Sequence, residues 1–170
     1  HCHNKVYNNI EVIKMYEIDK IYRRHVHHEL ALINEQYNLL NKEMVEAKIL
    51  SFLSELGHVG EESQCYSFWD HSKHSVEDLT SAYMQGLHML LSIGFELKVD
   101  HLKDVNELTN HQSLSKRFID LYQTALKLNQ TYQFTDFQDL VDDYLTLGFA
   151  LDLDMHQLFE TYCNQYEQKD

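Results

Sequence analysis

The sequence predicts an all-α bundle of five or six helices. Apolar residues recur at three- and four-residue steps along most of the chain, the spacing that gives a helix one buried face. The 170 residues include no proline and only five glycines, which suits long helices and argues against a β-sandwich with its many turns. Hydrophobic residues make up 44% and aromatics 12% of the chain, enough for a sizeable core and against disorder. The expectation is one domain over residues 1–170, with residues 1–8 a frayed start.

In order, residues 9–28 carry Ile10, Val12, Ile13, Tyr16, Ile18, Ile21, Tyr22 and Val26 on roughly one face. The polar cluster Arg23, Arg24 and His25 reads as lying outside that face. His27, His28 and Glu29 read as solvated helix surface. Adjacent helix positions point about 100° apart, so the neighbouring imidazoles do not easily share one ion. Leu30, Leu32, Ile33, Tyr37, Leu39 and Leu40 either continue this helix or form a second short one.

Residues 45–97 organise the rest. Val45, Ile49, Phe52, Leu53, Leu56 and Val59 make one stripe; Leu79, Tyr83, Leu87, Leu90, Leu91 and Phe95 make another. Gly86 and Gly94 fall on or near the second stripe. A glycine inside a helix costs about 1 kcal/mol against alanine, so something needs the space. Close approach of a neighbouring helix is the simplest need. The reading is a tight antiparallel pair joined through residues 70–75. Residues 100–110 form a polar connector. A clean stripe follows in Leu114, Phe118, Leu121, Tyr122, Ala125 and Leu128. Thr135-x-x-Gln138 and Asp154-x-x-Gln157 are capping-box patterns that open two further helices.

The net charge of −13 makes nucleic acid or an anionic membrane an unsuitable non-specific partner, and suits divalent cations better. Cys2, Cys65 and Cys163 are odd in number and form no CxxC pair, which reads as reduced thiols in a cytoplasmic protein. No stretch approaches the roughly 18 apolar residues that span a bilayer, and the first ten residues hold no signal-peptide core. Nucleophile elbows and glycine-rich phosphate loops are absent from the sequence.

Glu55-Leu56-Gly57, Glu62, Cys65 and Trp69, followed by Tyr83-x-x-Gly86-Leu87-His88-x-Leu90-Leu91-Ser92, resemble the dimeric dUTPases of the all-α NTP pyrophosphatase superfamily, in their Gram-positive and phage branch. The resemblance extends to Tyr144, Gly148, Leu151 and Thr161-Tyr162. It implies an α bundle, a homodimer and the conversion of dUTP to dUMP and pyrophosphate. It also implies Mg²⁺ as cofactor, gripped by Glu-x-x-Glu on one helix facing Glu-x-x-Asp on the next. A three-residue step places each carboxylate pair on one face, where oxygen donors suit Mg²⁺.

The positions aligned with the first pair are Glu55 and His58, and with the second Ala82 and Gln85. His58 offers nitrogen, better matched to zinc or nickel; Gln85 offers one neutral oxygen; Ala82 offers nothing. The lysine expected between Cys65 and Trp69 is Ser67, and the lysine and asparagine expected after Tyr162 are Gln165 and Tyr166. The glutamine and aspartate that recognise uracil align with Ile18 and Tyr22. The resemblance therefore implies a dUTPase-like protein with impaired catalysis, a pseudoenzyme that binds a nucleotide or a protein partner. The alternative is an active dUTP pyrophosphatase with a rearranged Mg²⁺ site at Glu55, Glu62 and Asp78. A histidine-based transition-metal binder is a third reading. Ser75-x-x-Asp78 also reads as a helix cap, and Trp69 and His88 as either substrate contacts or packing residues.

Overall fold

The computed structural model of the protein describes residues 15–31, 40–66, 74–103, 105 and 112–167. Among them are six helices and no strand: α1 (Met15–Ala31), α2 (Lys42–Ser63), α3 (Val76–Glu96), α4 (Leu114–Thr131), α5 (Phe134–Ala150) and α6 (Met155–Glu167). The continuation foreseen for residues 32–39 lies outside the described residues.

Short polar side chains start most of these helices by satisfying backbone N–H groups that have no partner within the first turn. Asn41 Oδ1 accepts from the Met44 N–H at 3.1 Å, and Ser75 Oγ from the Asp78 N–H at 3.0 Å. Ser113 does the same for α4, and Asp154 accepts from the Gln157 N–H at 3.0 Å to open α6. Thr135 does not open α5. That helix begins at Phe134 with Gln133 in the capping position and no side-chain cap. Gln138 is used elsewhere: its Oε1 accepts from the Lys103 N–H at 2.8 Å, and its Nε2 donates to Asp142 Oδ1 at 2.8 Å. The connector after α3 is thus fastened to α5.

The α2 and α3 stripes read from the sequence form the core, except that Leu53 and Leu79 are half-buried and pack against it. Val45, Ile49, Phe52, Leu56 and Val59 of α2 are buried, as are Tyr83, Leu87, Leu90, Leu91 and Phe95 of α3. The two helices are antiparallel. Lys48 near the start of α2 lies beside Glu96 at the end of α3, and Glu62 near the end of α2 lies beside His74 just before α3. α2 stops at Ser63 with Gln64 in a left-handed conformation, earlier than a helix running to Trp69 would. α3 is central, packing on α1, α2, α5 and α6. α4 runs antiparallel to α2, with Tyr122 donating to the Leu53 carbonyl at 3.0 Å and Ser115 to the Cys65 carbonyl at 3.2 Å.

The glycines are helical for a reason other than a neighbouring backbone. A Cβ on Gly86 would fall well inside contact distance of the Tyr144 hydroxyl, and one on Gly148 would lie 2.6 Å from the Tyr83 hydroxyl. The two rings stack with centroids 4.5 Å apart and planes 9° apart. Tyr83 donates to the Tyr144 carbonyl at 2.9 Å, and Tyr144 to the Tyr83 carbonyl at 2.7 Å. Each ring lies in the notch left by the other helix's glycine. The close approach inferred for Gly86 is therefore real, but it comes from a tyrosine on α5 and not from α2.

Gly86→Ala has no room without displacing a buried ring, so it lowers stability by about 3 kcal/mol and the melting temperature by about 6–12 °C. Among the described residues, a Cβ on Gly57 would meet just the Tyr122 hydroxyl, at 3.2 Å. Gly57→Ala should change stability by less than about 1 kcal/mol, because the lost clearance is offset by better helix propensity. Thermal unfolding of the two variants side by side checks both.

Candidate functional site

A cavity of about 640 Å³ opens between α3 and α6, within the size range of small-ligand pockets. Gln85 and His88 line it from α3, one turn apart. Gln157, Thr161, Tyr162 and Gln165 line it from α6 at the three- and four-residue steps of one helix face. Glu77 and Asp154 bring the only formal charges among the described lining residues, and both are negative.

The remaining predicted site residues stand elsewhere. Glu55 is half-buried on α2, where its charge helps raise the Tyr144 phenol pKa, already driven well up by complete burial. His58 is half-exposed, with Nε2 3.4 Å from Glu62 Oε1. The other oxygen of Glu62 lies 2.8 Å from His74 Nδ1. Glu62 is therefore engaged by two imidazoles, one on its own helix and one just before α3. Asp78 is exposed in the first turn of α3, where its backbone N–H is the group capped by Ser75. Trp69 and Ser67 lie outside the described residues. The structure thus places Gln85 and His88 in one cavity and leaves Glu55, His58, Glu62 and Asp78 out of its lining.

Magnesium needs several oxygen donors converging at octahedral angles. Ala82, at one of the aligned carboxylate positions, is a buried methyl with 1% exposure. Among the described residues, no three His, Cys, Asp or Glu side chains converge to hold a metal ion. Among the described residues, the donors at these positions do not fit Mg²⁺.

Behind the cavity lies a polar network that the sequence reading missed. His25, assigned to the outer surface of α1, has 0% exposure. Its Nδ1 lies 3.0 Å from the Tyr162 hydroxyl and its Nε2 3.1 Å from Glu29 Oε1. Burial is tolerated because both ring nitrogens have partners. Glu29, also assigned to solvated surface, accepts from Ser92 Oγ at 2.6 Å and lies 3.6 Å from Lys48 Nζ. Burial opposes its charge, but the hydrogen bonds from His25 and Ser92 and the Lys48 charge outweigh that and bring its pKa down to about 2. His28 is half-buried, whereas His27 is exposed as expected. Ile18 and Tyr22, aligned with the uracil-recognising positions, are core residues; Tyr22 donates to the Val99 carbonyl at 2.6 Å. The one available signal for His25 was its place four residues before Glu29, a helical step that pairs a donor with a carboxylate.

His88 Nδ1 lies 3.2 Å from the same Tyr162 hydroxyl. Burial, reinforced by the neighbouring His25 ring, lowers the His88 pKa to about 4.

These features define an all-α bundle with a ligand-sized cavity on its central helix. A family model described as dUTPase matches residues 12–169, and the chain belongs to that dUTPase family. No curated protein and no solved structure is a significant match to it. No helix among the described residues is long and apolar enough to cross a membrane.

The lowered His88 pKa has a sign for stability. Between about pH 6.5 and about 4 the unfolded chain binds a proton at this residue that the folded chain refuses, so stability falls as pH falls through that window. Denaturant unfolding at several pH values should show a shallower loss over that range in His88→Gln than in the wild type.

Proposed function

We propose that this chain is a dUTPase-family protein in which magnesium-dependent release of pyrophosphate is impaired and nucleotide binding is retained. The observation that carries the reading is the chemistry at the four aligned carboxylate positions. Only Glu55 is acidic, beside a half-exposed His58, a buried Ala82 and a Gln85 facing the cavity. Water attack on a triphosphate requires cations that neutralise the phosphates and activate the water, and this donor set lacks the oxygens to hold them.

The cavity lining supports binding of the nucleoside part. Amide and hydroxyl groups from Gln85, Gln157, Thr161 and Gln165 suit a neutral, hydrogen-bonding ligand. A triphosphate carrying several negative charges would meet Glu77 and Asp154 with no described Lys or Arg in the lining. We take the chain as one domain acting as a homodimer. Leu50 and Val76, 70% and 71% exposed, are apolar groups available to a second subunit. Size-exclusion chromatography with light scattering tests the dimer.

Incubation with dUTP at millimolar Mg²⁺ or Mn²⁺ should release pyrophosphate no faster than buffer. Calorimetry should show deoxyuridine and dUMP binding, with dUTP no tighter. Pyrophosphate release that disappears in Glu55→Gln would overturn the proposal in favour of an active enzyme built on Glu55, Glu62 and Asp78.

A further inference from the structure

A second cavity, of about 320 Å³, opens between α1 and α6 and shares no lining residue with the α3–α6 cavity. At 100° per residue, Gln157, Thr161 and Gln165 lie on one face of α6, toward the first cavity. His156, Glu160 and Cys163 lie on the opposite face, toward the second. The charges differ as well. The described α3–α6 lining has carboxylates as its formal charges, whereas the second cavity is lined by Lys20 and Arg24, a single turn apart on α1, with Glu160 as its acidic residue. Arg24 Nη1 donates to the Cys163 carbonyl at 3.4 Å, which carries its guanidinium from α1 to α6. Ile21 and Phe159, 1% and 3% exposed, supply an apolar wall.

Lys20, His156, Glu160 and Asn164 line this space without engaging one another. Among the described residues, their side chains make no hydrogen bond or ion pair. In a chain with 27 acidic residues against 14 lysines and arginines, an ammonium left unpaired beside a guanidinium is open to an outside anion. We propose that the α1–α6 groove is an anion site that takes a phosphate group, as inorganic phosphate or as a small phosphate monoester. Lys20 brings a compact charge on a flexible stem, and the Asn164 amide and His156 ring bring N–H donors. Arg24, already engaged with Cys163, adds a positioned cation. The apolar wall of Ile21 and Phe159 keeps water from one side, which strengthens the attraction. Donors from two helices approach from different directions. A tetrahedral phosphate presents oxygens to all of them, whereas a planar carboxylate presents two in one plane. Glu160 opposes the anion and limits its affinity. This site is independent of the nucleoside reading of the other cavity.

The test is an NMR titration of the ¹⁵N-labelled full chain at about pH 7, in a phosphate-free buffer of constant ionic strength. Inorganic phosphate is added in one arm and ribose 5-phosphate in the other. Saturable shifts should appear at the backbone amides of residues 20–24 and 156–164. Tighter binding of the first identifies the free anion as the ligand, and of the second a monoester. Lys20→Gln, at an exposed position, should weaken binding about threefold to fivefold, and Glu160→Gln should tighten it about threefold. Glu43→Gln makes the same charge change in the first turn of α2 and should leave binding unaltered. No saturable shift in either arm, shifts confined to residues 77–88, or equal tightening by Glu160→Gln and Glu43→Gln overturns the proposal. Each of those results leaves the nucleoside reading standing, because the two cavities share no residue.

Discussion

The reciprocal embrace of Tyr83 and Tyr144 is the constraint on which the rest of this bundle depends. Two phenol rings stack across the α3–α5 boundary, and each hydroxyl is satisfied by the backbone carbonyl of the other tyrosine. A buried hydroxyl without a partner would cost roughly 1–3 kcal/mol, so the pair tolerates neither sliding nor rotation of one helix against the other. The notches at Gly86 and Gly148 allow the rings this close. Because Gln85 and His88 follow within two turns on the same helix, the clasp also sets where the cavity's α3 wall stands. Packing and site geometry are therefore coupled through one contact.

On the opposite side of α3 the cohesion is polar. Lys48 reaches Glu96 at 2.8 Å and approaches Glu29, while Ser92 and His25 bind Glu29. Charges this far from water are tolerated only where each has partners of opposite sign or hydrogen bonds. The same residues tie α1, α2, α3 and α6 together, and Tyr162 carries the arrangement to the cavity wall. A polar core of this kind defines the relative positions of four helices more narrowly than interchangeable apolar contacts would. The cavity holds amides and hydroxyls, whereas Glu55, His58 and Glu62 sit outside its lining with partners or surroundings of their own.

How legible this was in the sequence differed from element to element. The α2 and α3 stripes were plain because burial repeats with the helical period, and every residue from Tyr83 to Phe95 assigned to the core is buried. Ser75 and Asp154 were plain because a cap is a local interaction between residues three apart. Thr135 failed for the converse reason: several polar residues crowd the α4–α5 turn, and the contact of Gln138 with Lys103 lies 35 positions away in sequence. His25 and Glu29 failed because a polar side chain read in isolation belongs outside; only partners from α3 and α6 make its burial affordable.

The sequence by itself determined the helices, the faces they bury and the family. Each of these is written in residue identity and short-range spacing. Only the tertiary structure decided that Gly86 makes room for a ring of α5, that His25 is interior, and that Gln85 and His88 share a cavity with α6. Those outcomes depend on side chains from separate helices meeting at hydrogen-bond and van der Waals distances. No periodicity within one helix encodes which partner arrives from another.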